Sequence, residues 1–116
     1  MGNPAASQPA SDLARVIEVW QLSQAKAASL FGVSRQAFAK WLHRGVPADH
    51  VVDVADLKAA TDLLERYLKS DRIPAVVRRP IPKLDGVSLL ELLGQGDTNR
   101  LLSACREMFD FERAHG

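Results

Sequence analysis

The stretch LSQAKAASLFGVSRQAFAKWLHRG, residues 22–45, decides the fold. It contains two runs of helix-forming residues, QAKAASLF and RQAFAKWLHR. Ser23 and Ser34 stand immediately before the two runs, where a hydroxyl group caps a helix N-terminus. Gly32 between the runs permits the positive φ of a tight connection, and Gly45 ends the second run. The pattern therefore predicts two helices joined by a short turn.

The apolar residues of this stretch have the spacing of a helix-turn-helix. Ala28 is small where the second helix crosses the first, and Val33 fills the turn. Phe38, followed by Trp41 or Leu42, gives the second helix an inward face. We expect Trp41 to belong to the core rather than to a stacking surface. The pattern predicts a DNA-binding helix-turn-helix, and the alternative is a helical hairpin with a glycine turn and no ligand.

Charge is distributed unevenly along the chain. No acidic residue lies between Glu18 and Asp49, and the basic residues of that segment are Lys26, Arg35, Lys40 and Arg44. The whole chain carries a formal net charge of only +1, so this basic segment is set in a nearly neutral protein. An acid-free basic segment indicates a polyanionic partner, and the alternative is a chance gap in the acidic residues.

The segment resembles the helix-turn-helix of the lambdoid-repressor or Xre type. The resemblance implies seven contacts with double-stranded DNA: Gln24, Lys26, Ser34, Arg35, Gln36, Lys40 and Arg44. Of these, Arg35, Gln36 and Lys40 would reach base edges in the major groove, and the other four would meet the phosphate backbone. Operators are usually read by dimers, so we also expect a homodimer.

Helical patterns flank this element. Apolar residues recur with helical spacing at Leu13, Val16, Ile17 and Trp20. We expect this helix to begin at Ser11 or Asp12, and residues 1–11, which are small and polar, to form a flexible tail. Residues 48–70 predict one long helix that is apolar on more than one side. Such a helix contacts more than one partner, which here would be the helix-turn-helix and a second copy of the chain.

The C-terminal part combines proline-rich and helical segments. Ile73-Pro74 and the run RRPIPKL predict that residues 72–84 are not regular helix. Ser88 and Glu91 fit a capping box that opens a short helix, and Asp97 or Thr98 caps the last helix. The predicted fold class is all-α. Its parts are a tail (1–11), a helix-turn-helix domain (12–48), a linking and dimerisation helix (49–70) and a small helical domain (71–116).

Enzymatic patterns are absent from the sequence. The single cysteine, Cys105, excludes an internal disulfide and a cysteine-rich metal site, and we expect it in the core. Asp49, Asp53 and Asp56 have helical spacing, but carboxylates near a helix N-terminus are explained by the helix dipole. There is no phosphate-binding glycine loop and no nucleophile motif. We therefore expect a cytoplasmic, non-membrane protein that is not an enzyme and holds no metal or cofactor.

The segment VVRRPIPKLDGVSLLELLGQGDTNRLL, residues 76–102, resembles the toxin-binding domain of the Xre/MbcA/ParS-like antitoxins. In that family an Arg-Pro stretch leads to a Leu-Gly-Gly-type turn, a Leu-rich helix, a Gly-Asp step and a final helix. Arg79-Pro80, Leu84-Asp85-Gly86 and Gly96-Asp97 follow the same order. The chain departs from the family with Val76-Val77 instead of Trp-Leu, Asp85 instead of glycine and Leu89 instead of a common proline.

The resemblance implies a dimeric antitoxin whose C-terminal domain blocks a RES-type toxin, an NAD-degrading enzyme, while its helix-turn-helix represses their shared operon. It implies partner-binding roles for Arg78, Arg79, Phe109, Phe111 and Arg113. The alternatives are that the two phenylalanines close the core and that the two adjacent arginines face DNA or solvent. A stand-alone transcriptional regulator and a purely protein-binding inhibitor remain the competing functions.

Overall fold

The computed structural model describes the backbone of residues 4–110 and the side chains of residues 8–110. Within this range the protein is all-α, as predicted. Its α-helices are α1 Pro4–Trp20, α2 Gln24–Phe31, α3 Arg35–Arg44, α4 Ala48–Tyr67, α5 Ile73–Arg78, α6 Leu89–Gly94 and α7 Thr98–Met108. Two 3₁₀ turns occur at Ser70–Arg72 and Pro82–Leu84. None of the described helices combines the length and hydropathy needed to cross a membrane.

The predicted caps of the helix-turn-helix are confirmed. The Ser23 hydroxyl oxygen accepts a hydrogen bond from the Lys26 backbone N–H at 3.0 Å, and the Ser34 hydroxyl oxygen accepts one from the Ala37 N–H at 3.1 Å. Gly32 has φ +71°, the left-handed conformation that the short turn requires. These local signals place α2 and α3 where the sequence predicted them.

The predicted start of α1 is wrong. The helix begins at Pro4, not at Ser11 or Asp12, so residues 4–11 are helical and do not form the predicted tail. Two features favour the longer helix: alanine has the highest helix propensity, and Ala10 is buried against the rest of the protein. Pro9 lies inside the helix, where it removes one backbone donor without ending the helix.

The prediction that residues 72–84 contain no regular helix is wrong for α5. Pro74 occupies the first turn of that helix, where a backbone N–H has no intrahelical partner and proline is tolerated. The chain leaves the helix at Arg79, and Ile81 and Val87 form an isolated antiparallel bridge. The predicted cap of α6 is confirmed, because the Ser88 hydroxyl accepts from the Glu91 N–H at 3.1 Å.

Two clusters of buried side chains form the core. The smaller cluster belongs to the helix-turn-helix and consists of Leu13, Ala27, Ala28, Phe38, Trp41, Val46 and Val54. The larger one joins α1 and α4 to the C-terminal helices and includes Trp20, Leu57 and the fully buried Cys105, whose predicted core position is confirmed. Burial raises the pKa of the Cys105 thiol to about 12. Because α1 and α4 contribute to both clusters, they connect the two parts of the protein.

Candidate nucleic-acid interface

Aromatic packing fixes the orientation of α3. Phe38 is completely buried, and Trp41 is 7% exposed, which confirms its predicted place in the core. The ring of Phe31 lies 5.8 Å from the ring of Phe38 and 5.6 Å from that of Trp41. The Trp41 ring also lies 4.6 Å from the imidazole of His50 on α4. These contacts hold one side of α3 against α2 and α4, so its opposite side faces solvent.

The solvent side of α3 carries the predicted base-reading residues. Arg35, Gln36 and Lys40 are all exposed. His43 is exposed as well, and its spacing from Gln36 and Lys40 places it on the same side of the helix. His43 is not among the predicted base contacts, although its i, i+4, i+7 spacing with Gln36 and Lys40 is visible in the sequence. The face therefore presents four polar side chains to the surroundings.

The predicted phosphate contacts lie at or near the helix ends. Ser34 is exposed at the N-terminus of α3, and its oxygen is engaged by the Ala37 N–H, so its own O–H proton remains available to an acceptor. Gln24 is the exposed first residue of α2, and Lys26 is exposed in its first turn. Arg44 is the exposed last residue of α3. Backbone N–H groups at such N-termini favour anions.

The basic segment has no ionic partner within the described part of the chain. The ion pairs there join Arg15 to Asp62 and Glu65, and Lys58 to Asp62, while the imidazole of His50 lies beside Asp53. None of them involves the four cations between Glu18 and Asp49. Their charge is therefore directed at solvent and is not neutralised by the protein, which suits a surface that meets a polyanion.

Arg78 has a structural role that the sequence did not reveal. Its guanidinium donates hydrogen bonds to the backbone carbonyls of Trp20 at 3.0 Å, Pro74 at 2.7 Å and Gln21 at 3.1 Å. Gln21 has φ +56° and follows the last residue of α1. Arg78 thus joins α5 to the corner between α1 and α2, and nothing in the sequence distinguished it from its neighbour Arg79.

The other predicted partner residues have different environments. Arg79 is exposed. Phe109 is 6% exposed and stacks on Tyr67 with a ring separation of 4.6 Å, so it packs into the core, which was the alternative interpretation. Phe111 and Arg113 lie outside the described residues.

An apolar groove runs beside the end of α7. Met108, which is 37% exposed, lies on it together with Ile81 and Pro82. The part of the groove that extends to Leu84 and Ala104 has a volume of about 450 Å³. This shape and lining suit a side chain from a protein partner.

The aspartates of α4 connect it to α7. The Thr98 hydroxyl, at the N-terminus of α7, lies 3.1 Å from Asp53 Oδ1 and 2.9 Å from Asp56 Oδ2. A hydroxyl has one proton and donates to one of these carboxylates at a time. Imidazole Nδ1 of His50 lies 3.3 Å from Asp53 Oδ2. These carboxylates therefore contact α7 in addition to lying near the N-terminus of α4. Among the described residues, no group of three or more His, Cys, Asp or Glu side chains is placed so that it could hold a metal ion.

Comparison with known proteins extends the description of the fold. No family model and no curated protein matches the chain. Among solved structures, it is similar to a chain in the crystal structure of the M. tuberculosis MbcT–MbcA toxin-antitoxin complex, with a TM-score of 0.69 and 20% sequence identity. The match covers 87% of this chain and 93% of that chain. The protein therefore shares the fold of that chain. The shared fold spans both the helix-turn-helix and the C-terminal helices, as the resemblance predicted.

Proposed function

We propose that this protein is the antitoxin of a type II toxin–antitoxin pair, which represses its own operon and neutralises a RES-type toxin. The observation that carries the proposal is the extent of the fold match, which covers 87% of the chain and therefore spans both halves of the protein. A stand-alone regulator needs only the helix-turn-helix. A C-terminal half that shares the fold of a chain from a toxin–antitoxin complex favours a second, protein partner.

The DNA-binding part of the proposal rests on α3. In the major groove, Arg35 pairs with a guanine, Gln36 with an adenine, and Lys40 reaches a neighbouring base edge. Gln24, Lys26, Ser34 and Arg44 hold the DNA backbone. All seven side chains are exposed, and the aromatic cluster beneath α3 keeps the helix from rotating away.

The toxin-binding part of the proposal rests on the C-terminal half. The apolar groove at Met108 supplies a docking surface, and exposed Arg79 lies at its edge. The guanidinium of Arg78 is occupied by the backbone carbonyls of Trp20 and Gln21, so we assign it a structural role and not a toxin contact. In this role the chain acts by binding in the cytoplasm, as a non-enzymatic regulator.

Co-purification from the native host tests the partner. We expect a RES-type toxin to be recovered with the protein and encoded beside it, and co-expression of the protein to relieve the toxin's growth arrest. A protein that binds its operator but recovers no toxin would be a stand-alone regulator instead.

A gel shift with the upstream region of its own gene tests DNA binding. The double variant Arg35→Ala, Lys40→Ala should lose the operator, whereas Arg79→Ala, which removes a cation outside the helix-turn-helix, should bind as wild type does. If the double variant binds the operator as tightly as wild type, α3 does not read the operator. If wild type itself gives no shift, the protein acts through protein binding alone.

A further inference from the structure

A groove between α4 and α7 is lined by apolar and basic side chains. The two helices run side by side in the same direction. Thr98 at the start of α7 bonds to Asp56 of α4, and Phe109 after the end of α7 stacks on the last residue of α4, Tyr67. The groove lies toward this second end and has a volume of about 290 Å³; we call it the α4–α7 groove. Its apolar lining consists of Ala59, Leu63, Tyr67, Leu102 and Phe109.

Two arginines line the groove, one from each helix. Arg66 of α4 and Arg106 of α7 are both exposed. Neither forms an ion pair with another residue of the range 8–110. The guanidinium of Arg66 lies over the Tyr67 ring at 5.6 Å, within the range of a cation–π contact, and this contact keeps it at the rim of the groove. Two positive charges therefore face the groove without a counter-charge of their own.

Asp62 is the one carboxylate among the described residues that line the groove. Its Oδ1 accepts a hydrogen bond from Arg15 of α1, and its Oδ2 accepts one from Lys58 at 2.8 Å. Both donors lie outside the lining of the groove, so the charge of Asp62 is neutralised by cations other than Arg66 and Arg106. The groove therefore has an excess of positive charge beside an apolar floor.

The helix dipole alone does not explain this arrangement. It favours cations near the C-terminus of a helix, whichever side of the helix carries them. Here the arginines of two different helices line one groove, next to apolar side chains. A guanidinium binds a carboxylate through parallel N–H···O hydrogen bonds, and an apolar floor accommodates a neighbouring apolar side chain. The chemistry of the groove therefore complements a ligand that is both acidic and apolar.

We infer that the α4–α7 groove binds an acidic segment of the protein partner, with a carboxylate side chain of that segment between Arg66 and Arg106. An adjacent apolar side chain of the segment packs against Leu63 and Phe109. The inference deepens the proposed function and rests on it for the identity of the partner as the toxin. It adds the chemistry of the toxin segment that the C-terminal half recognises.

Size and continuity favour a chain segment over a small molecule. Pockets that enclose small ligands measure about 300–1,000 Å³, and this groove lies at their lower limit and is open to solvent. Phe109 lines both the α4–α7 groove and the apolar groove at Met108, so the two grooves adjoin at the end of α7. A partner segment that crosses this end places an apolar side chain at Met108 and its carboxylate at the two arginines.

NMR titration of the isotope-labelled full chain with three synthetic peptides tests the groove. The peptides are acetylated and amidated and share the sequence Gly-Ser-Leu-X-Phe-Ser-Gly, in which X is Glu, Gln or Lys. The Glu peptide should shift the backbone amide signals of Leu63 and Leu102. Its dissociation constant should be about tenfold lower than that of the Gln peptide, because a carboxylate forms charge-assisted hydrogen bonds and an amide does not. Equal affinity of the two peptides, or shifts confined to other helices, would overturn the inference.

Charge reversal distinguishes recognition by the two arginines from an effect on the fold. Arg106→Glu should remove the preference for the Glu peptide, and the double variant Arg66→Glu, Arg106→Glu should prefer the Lys peptide. Arg100→Glu makes the same charge change at an exposed position of α7 outside the lining of the groove, and it should keep the wild-type preference. A double variant that still prefers the Glu peptide contradicts the assignment of the two arginines.

The same spectra reveal other occupants of the groove. Signals of Leu63 and Leu102 that move on dilution of the chain alone would show that a second copy occupies it. A Glu peptide that binds only after Phe111→Ala would show that the C-terminal residues of the chain occupy it. Either result overturns the inference.

The inference and the proposed function can fail separately. The double variant Arg66→Ala, Arg106→Ala should bind the co-purified toxin about tenfold more weakly than wild type and bind the operator unchanged. A toxin that binds this variant as tightly as wild type overturns the inference and leaves the proposed function intact. If no toxin is recovered but the preference for the Glu peptide is observed, the groove binds acidic segments and the proposed function is wrong.

Discussion

Replacing Arg78 by alanine tests whether this residue stabilises the fold or serves a partner. The substitution removes three hydrogen bonds, two of which reach the carbonyls of Trp20 and Gln21 at the end of α1. Bonds from a charged donor contribute about 1.5–3 kcal/mol each when buried. The Trp20 bond is part-buried and the other two are exposed. Solvent therefore replaces much of the loss, and we expect a total destabilisation of about 1.5–3 kcal/mol.

Urea unfolding followed by circular dichroism measures this change in the free energy of unfolding. Arg79→Ala is the matched control, because its side chain makes no hydrogen bond among the described residues; we expect an effect within about 0.5 kcal/mol. Arg78→Lys should retain part of the stability, since an ammonium group cannot reproduce the guanidinium fork. The reasoning is refuted if Arg78→Ala unfolds within about 0.5 kcal/mol of wild type. A stable Arg78→Ala protein that fails to bind the toxin would make Arg78 a partner contact.

Three further outcomes follow from the structure. Arg35→Ala should cost about 1–3 kcal/mol of operator binding and relax the base preference. Lys26→Ala should weaken binding to all DNA sequences equally, and the slope of log binding constant against log salt concentration should fall by about one in filter-binding experiments over a salt series. Partial burial opposes the ionisation of Asp62, but hydrogen bonds from Lys58 and Arg15 outweigh it and lower its pKa. The resulting stability is present above the unfolded-state pKa, about 4, and is lost as the pH falls through the folded-state value. Asp62→Asn should therefore unfold more easily at pH 7 and lose less stability on acidification, and an equal acid sensitivity in urea titrations would contradict this. Trp20→Phe leaves a single tryptophan in the smaller cluster, and Trp41→Phe leaves one in the larger cluster. In both variants the unfolding transition followed by fluorescence should coincide with the one followed by circular dichroism.

Local signals predicted most of the fold. The caps at Ser23, Ser34, Ser88 and Asp97 depend on residues within three positions, so the sequence reveals them directly. Proline was the main source of error, because its effect depends on its place in the helix. Pro74 lies in the first turn of α5, where proline is tolerated. Pro9 lies inside α1, and the burial of its neighbour Ala10 favours the helix there.

The candidate site was predictable only in part. The exposed side of α3 follows from helical spacing. Phe38 and Trp41 are three residues apart and define the buried side, so residues about half a turn away from them lie on the exposed side. Two of the three hydrogen-bond partners of Arg78, Trp20 and Gln21, lie 58 and 57 residues away in the sequence, so no local pattern indicates them. The DNA contacts themselves stay predictions.

We expect ligand binding to one half of the protein to stabilise the other half, because α1 and α4 contribute residues to both core clusters. Leu13 belongs to the helix-turn-helix cluster and Trp20, two turns later on α1, to the larger cluster. On α4, Val54 belongs to the helix-turn-helix cluster and Leu57, one turn later, to the larger cluster. The helix-turn-helix cluster alone is too small to stabilise a domain, so its order depends on the larger core. Under the proposed function, a toxin that stabilises the C-terminal half also stabilises the helices beneath α3. Toxin binding should then strengthen operator binding by the same factor by which operator binding strengthens toxin binding.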